Sequence, residues 1–268
     1  MKKLLLPLLL AATWSSTALA GPFAPAAGQA GSTAVARTDS QIKAWASGFS
    51  NYVQGTDLDA AFADASKALG PAEGNNFDAV SLGNGGRITL SFSGTLFNGA
   101  GYDFAIFENS FSDSFIELAF VEVSSDGANF FRFPHFSFTP AAVGAFGAID
   151  PTNIEGYAGK YRMGFGTPFD LDVLKNAPGL NVNAVSHIRL VDVLGNGSEF
   201  DNYPSGAPFN GPHAIFDPFR TVGSAGFDLD GIGARHFTAA PPAPVPLPGA
   251  LGLFALAGAG LLRRLRRA

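Results

Sequence analysis

Short apolar runs cut by glycine-bearing turns fill the middle of this chain, and that rhythm limits what it can fold into. The runs "FDAVSLG" (77–83) and "RITLSFSG" (87–94) flank Asn84-Gly85-Gly86, and "ELAFVEVSSDGANFFRF" (117–133) holds two alternating runs around Asp126-Gly127. Alternation with period two marks a strand with one inward face. Asn-Gly and Asp-Gly supply the positive φ of a tight hairpin, so both places are expected to be hairpins. "GYDFAIFEN" (101–109), "AVSHIRLVDV" (184–193) and "GFDLDGIGARHF" (226–237) continue the pattern. The expected fold is therefore mainly β: an antiparallel β-sandwich or jelly roll with one or two short helices. The 26 Phe, 33 Gly and 18 Pro of the chain suit short strands and turns better than a helical bundle. One helix is expected over 56–70, where a Thr cap, early acids and a Gly stop frame spaced Leu58, Phe62 and Leu69.

Domain boundaries follow from composition. Residues 21–55 read as a flexible lead-in, 56–238 as the β-sandwich body, and 239–248 as an extended Pro-rich linker. Within the body, the stretches 138–181 and 194–224 are long for loops, and long loops on a sandwich are where binding usually sits.

The two ends are of another kind. Lys2 and Lys3, an apolar run and then Ala18-Leu19-Ala20 make residues 1–20 a secretory signal peptide. At the other end, Val245 to Leu262 carries no charge and is followed by Arg263, Arg264, Arg266 and Arg267. As a helix it would reach about 27 Å, just enough to cross a membrane, so 249–262 is expected to be a transmembrane helix. The tail 263–268 would stay on the cytoplasmic side. The Pro-rich linker, the motif Val245-Pro246-Leu247-Pro248, the short Gly/Ala/Leu segment and the arginines together resemble the PEP-CTERM protein-sorting signal. Pro-Leu-Pro stands here where that family has Pro-Glu-Pro. The resemblance implies export through the inner membrane and transient residence there. It also implies processing by an exosortase-type membrane protease and a final place on the cell surface or outside the cell. An association with extracellular polysaccharide is part of the same implication.

Charge narrows the partners. Of 17 Lys and Arg and 22 Asp and Glu, six basic residues and no acidic one fall in the two terminal stretches, so the body holds 11 basic against 22 acidic side chains. Such a surface repels nucleic acid, which is excluded as a partner, and suits a divalent cation, or a neutral or cation-bridged polysaccharide. With no cysteine there is neither a disulfide framework nor a thiolate metal site.

Six residues at strand ends are candidate oxygen ligands for Ca²⁺: Asp103, Glu108, Asn109, Asp192, Asp228 and Asp230. Ca²⁺ takes six to eight oxygens from carboxylates, amides and carbonyls, and these residues can meet only where their strands are neighbours. The same acids also suit solvated turns, where Asp accumulates. Four histidines lie too far apart in sequence for a zinc pattern. No G-x-S-x-G elbow is present, and no helix follows "SLGNGG" to receive a phosphate. Tyr157, Tyr161, Tyr203 and Phe209, set among Gly, Pro and Asn, are candidates for presenting flat faces to sugar rings. Trp45 falls outside the expected sandwich.

The motif series from "ALG" near Lys67 to "GFDLDGIG" before His236 resembles a group of bacterial secreted cell-surface proteins. "VEVSSDG" followed by an aromatic is similar to the strand-turn-strand of discoidin-like, galactose-binding-like jelly rolls. Neither resemblance brings an activity. The expectation is a non-enzymatic surface or matrix protein associated with exopolysaccharide, with Ca²⁺ as its candidate ion. Its rivals are a secreted polysaccharide hydrolase and a purely structural biofilm component.

Overall fold

The computed structural model describes residues 21–203 and 211–241. The expected signal peptide, Phe209, Val245 to Pro248, the 249–262 segment and the four tail arginines lie outside the described residues. Among the described residues no helix is long and apolar enough to cross a membrane.

Two antiparallel sheets face each other. The first runs in spatial order β1 (Val35–Ala36), β12 (Phe165–Phe169), β6 (Phe104–Glu108), β16 (Asp228–Ala234) and β2 (Ala44–Trp45), with β4 (Val80–Ser81) also on β16. The second runs β11 (Tyr157–Ala158), β7 (Ala119–Ser124), β13 (Val185–Asp192), β5 (Arg87–Leu96) and β17 (Phe237–Ala239), with β3 (Gly48–Val53) on β5 and β8 (Phe131–Arg132) on β7. Two ribbons, β9 (Phe136–Ser137) with β10 (Ile154–Glu155) and β14 (Asn196–Phe200) with β15 (Ala214–Phe216), complete the strands. The mainly β, sandwich-like body agrees with the alternation in the sequence.

One apolar cluster fills the space between the sheets. Phe104, Ile106, Leu229 and Ile232 enter it from the first sheet, and Ile88, Leu90, Val121, Val123, Ile188 and Leu190 from the second. Each large side chain so buried contributes roughly 1.5–3 kcal/mol. The outer face of β6 is covered as well. Ala105 and Phe107 lie under Ile42, Trp45 and Tyr102, with the Trp45 and Phe107 rings 5.3 Å apart. Burial on both faces explains why "FAIF" is continuously apolar rather than alternating.

That cover corrects two expectations. Trp45 is part of the body, and residues 21–55 are no flexible lead-in: β1, β2 and β3 lie there, and the Gly21 amide donates to Thr152 Oγ1 at 2.6 Å. Their strands are two to six residues long, too short to show a period among small residues.

The helix expected over 56–70 is replaced by two 3-10 turns, Ala60–Phe62 and Ala65–Ala68. Asp57 sits at φ 66°, and the Asp64 carboxylate accepts the Ser66 amide, so local side-chain bonds restart the chain before a helix propagates. The Asn84-Gly85-Gly86 hairpin also fails to form. Here β4 belongs to the first sheet and β5 to the second, and the Leu82 and Gly83 amides donate to Phe227 and Ala225 carbonyls. The glycines make a crossover between sheets. The second hairpin does form: Glu122 pairs with Arg132, and Asp126 Oδ1 accepts the Ala128 and Asn129 amides at 2.8 Å.

Candidate cation-binding end of the body

Strand parity carries carboxylates toward the core at one end of the sandwich. Phe104 and Ile106 face inward, and Glu108 is next in that alternation; Ile188 and Leu190 do the same for Asp192. Glu117 stands two residues before Ala119, whose side chain joins the core with Val121. The register Leu229 to Glu108 between β16 and β6 brings Asp228 to the same end. Asp217, just after β15, reaches in as well, its Oδ2 accepting the Leu118 amide at 2.9 Å. These five carboxylates are between 1% and 6% exposed.

Burial of that kind penalises the charged form, and neighbouring acids add repulsion. Burial pushes Glu108, Glu117 and Asp217 well above the ordinary carboxylate range. The charges of Asp228, Glu108, Asp217 and Asp192 raise Glu117 further. Burial likewise raises Asp192 to about 8 and Asp228 to about 7, although the Gly85 and Phe227 amides, and the Ser81 and Asn109 side chains, pull them back.

Hydrogen bonding divides the cluster in two. Asp192 is satisfied on both oxygens by the Phe227 and Gly85 amides, each at 2.7 Å. Glu108 Oε2 accepts the Ser110 amide at 2.8 Å. By contrast Glu108 Oε1, Glu117 Oε1 and Asp228 Oδ1 are buried without a hydrogen-bond partner. Glu117 and Asp228 line a cavity of about 140 Å³ together with Asn76, Asn109, Thr221 and Ser224. Each buried orphan oxygen costs about 1–3 kcal/mol, a penalty that a cation would relieve. No three His, Asp or Glu side chains among the described residues come close enough to hold a metal by themselves. A Ca²⁺ ion here would take two or three carboxylate oxygens and complete its shell from the Asn109 amide, backbone carbonyls and water, a donor set that suits its flexible geometry.

No protein-family model, curated protein or solved structure matches the chain. Its functional reading therefore rests on this geometry.

The six expected ligands separate accordingly. Glu108, Asn109 and Asp228 meet at the cavity end. Asp192 is near but is held by amides. Asp230 accepts the Glu73 and Gly74 amides at 2.8 and 2.9 Å and so acts as a backbone clamp. Asp103 is at the opposite end of β6, about 17 Å away at strand spacing, where it takes the Gly99 and Leu171 amides and His236. Glu117 and Asp217 were missed by sequence reasoning. The parity of "ELAFVEV" points Glu117 inward, and that was the available signal; Asp217 had none.

The aromatic candidates are placed elsewhere. Tyr157 and Tyr161 are buried, with their hydroxyls on His135 Nδ1 at 3.0 Å and Thr33 Oγ1 at 2.8 Å, so neither ring offers a face to a sugar. Tyr203 packs edge-on against Phe136 and lines a separate cavity of about 280 Å³ with Phe133, Phe169 and Lys160. Two exposed rings, Phe111 and Phe146, stand instead beside the acid cavity and form part of its lining with the half-buried Phe115.

Proposed function

We propose that this chain is an exported, non-enzymatic surface or matrix protein whose β body holds a calcium ion at its acid-rich end, through Glu117 and Asp228 with Asn109 beside them and Glu108 behind. One observation carries the reading: three buried carboxylate oxygens from three chain segments lack partners at one end of the sandwich. Like-charged groups gathered out of water are costly unless a cation joins them. The ion would tie β6, β16 and the start of β7 together, and so tie one sheet to the other. Export and exosortase-type processing are the part of the proposal that comes from the terminal stretches of the sequence.

Holding an ion is favoured over cleaving a polymer because all five acids are buried and all five are raised. A glycoside hydrolase needs one carboxylate that stays ionised beside one that stays protonated, both reachable by a chain. Calorimetric titration of the full chain with CaCl₂ at pH 8, after exhaustive chelation, tests the reading. Saturable binding of one ion per chain is expected. Absence of binding, or binding undiminished in Glu117→Gln, refutes it.

A further inference from the structure

Beside the acid cavity the body exposes aromatic surface that no packing requirement explains. Phe111 is 60% exposed, Phe146 85% and Val222 69%, and all three line that cavity. The rings form a strip: Phe111 stacks on Phe115 with centroids 4.8 Å apart and planes 17° apart, and Phe115 on Phe146 at 6.2 Å and 24°. The strip is built in place. Ser110 Oγ closes the 110–115 loop, its single proton within reach of the Ser112 carbonyl at 2.9 Å and of the Phe115 carbonyl. The Ile149 amide donates to the Ser114 carbonyl at 2.8 Å and fixes the loop that bears Phe146. Glu108 accepts the Ser110 amide, so the acid cluster and the strip share an anchor.

A contiguous exposed apolar patch rimmed by polar groups marks an interaction site. Its chemistry selects the occupant. A lipid tail or an apolar peptide would cover the rings but set apolar matter against the cavity's polar lining, Asn76, Asn109, Glu117 and Asp228. An anionic group would meet the acid cluster. A neutral sugar ring satisfies both halves, laying its C–H face on the strip and turning hydroxyl donors toward the amide and carboxylate oxygens and hydroxyl oxygens toward the ion they hold. We infer that Phe111, Phe115 and Phe146, with Asn76 and Asn109, form a binding platform for neutral saccharide units. The ion-facing part of this inference rests on the calcium reading; the stacked platform does not.

The test is affinity electrophoresis of the full chain through gels containing dextran, mannan or galactomannan, with CaCl₂ and again with EDTA. Phosphatidylcholine vesicle flotation runs as a parallel arm. Retardation by at least one neutral polysaccharide is expected, reduced at least tenfold in affinity by Phe146→Ala and by Phe111→Ala and restored by Phe146→Trp. Both substituted side chains are exposed, so thermal melting of the variants should match that of the parent chain. Retardation by none of the gels, retardation unchanged in both alanine variants, or flotation with vesicles lost in those variants would each overturn the platform. The calcium reading fails separately, by a melting temperature that CaCl₂ does not move.

Discussion

Replacing Glu117 by Gln should leave the β body folded and remove its response to calcium. Gln keeps the size of the side chain and deletes the charge that Asp228, Glu108, Asp217 and Asp192 all oppose. Without the ion, the parent chain keeps three buried carboxylate oxygens unpartnered. At about 1–3 kcal/mol each, several kcal/mol of instability is available for the ion to relieve. A ligand at one hundred times its dissociation constant stabilises by about 2.7 kcal/mol. For a body of this size that amounts to a rise in melting temperature of about 5–10 °C. Circular-dichroism melts of the full chain at pH 8 should show this rise for the parent in CaCl₂ over EDTA, and at most a quarter of it for Glu117→Gln. In EDTA the variant should melt at or above the parent, because one buried repulsion is gone. A variant that keeps the full calcium-dependent rise, or that melts well below the parent in EDTA, would show that Glu117 is a packing residue and would refute the reasoning.

Buried groups give opposite pH limbs, Asp192 and Asp228 one and His135 the other. Burial raises Asp192 to about 8 and Asp228 to about 7, so their stabilising contribution is complete below about pH 4 and is lost as pH rises through 7 to 8. In EDTA the melting temperature should fall over that range, whereas CaCl₂, which needs the ionised acids, should abolish the fall. His135 is held down to about 3 by burial and then by Arg132, so its contribution is present above pH 6.5 and is lost as pH drops toward 3, on the order of 4 kcal/mol in all. Urea unfolding of His135→Gln should show a shallower acid limb, and an unchanged limb would refute this assignment. Gly195 adopts φ 67° and a Cβ there would overlap the Asp217 carboxylate, so Gly195→Ala should lower the unfolding free energy read from urea melts by about 1–3 kcal/mol, whereas a value within error of the parent contradicts the seat drawn for Asp217. Neutralising Arg263, Arg264, Arg266 and Arg267 should misroute the precursor, and unchanged membrane fractionation argues against the sorting reading.

The legible parts of the fold were those in which local pattern and tertiary need agree. "VSHIRLVD" is alternating and β-branched, and it became β13, paired on both sides with β5 and β7. Asp126-Gly127 turned because the Asp126 carboxylate caps its own loop. Where a residue's role comes from a distant partner, the pattern was silent or misleading. Asn84-Gly85-Gly86 has the composition of a hairpin, yet the Leu82 and Gly83 amides are taken by Phe227 and Ala225, some 140 residues along the chain. The same division runs through the site. Acids at strand ends were visible as a class, but whether one clamps backbone, as Asp103 and Asp230 do, or keeps an oxygen unpartnered, as Glu108 and Asp228 do, depends on which amides arrive from other strands. That unequal supply of donors singles out one end of the sandwich. The bulge in β16 between Leu229 and Gly231 sets this difference. It lets Asp228 join the cavity with Glu117 while Asp230, two residues on, accepts the Glu73 and Gly74 amides instead. A bulge that re-aims one side chain next to a site is a common device of β folds, and here it divides "DLD" into one candidate ligand and one clamp.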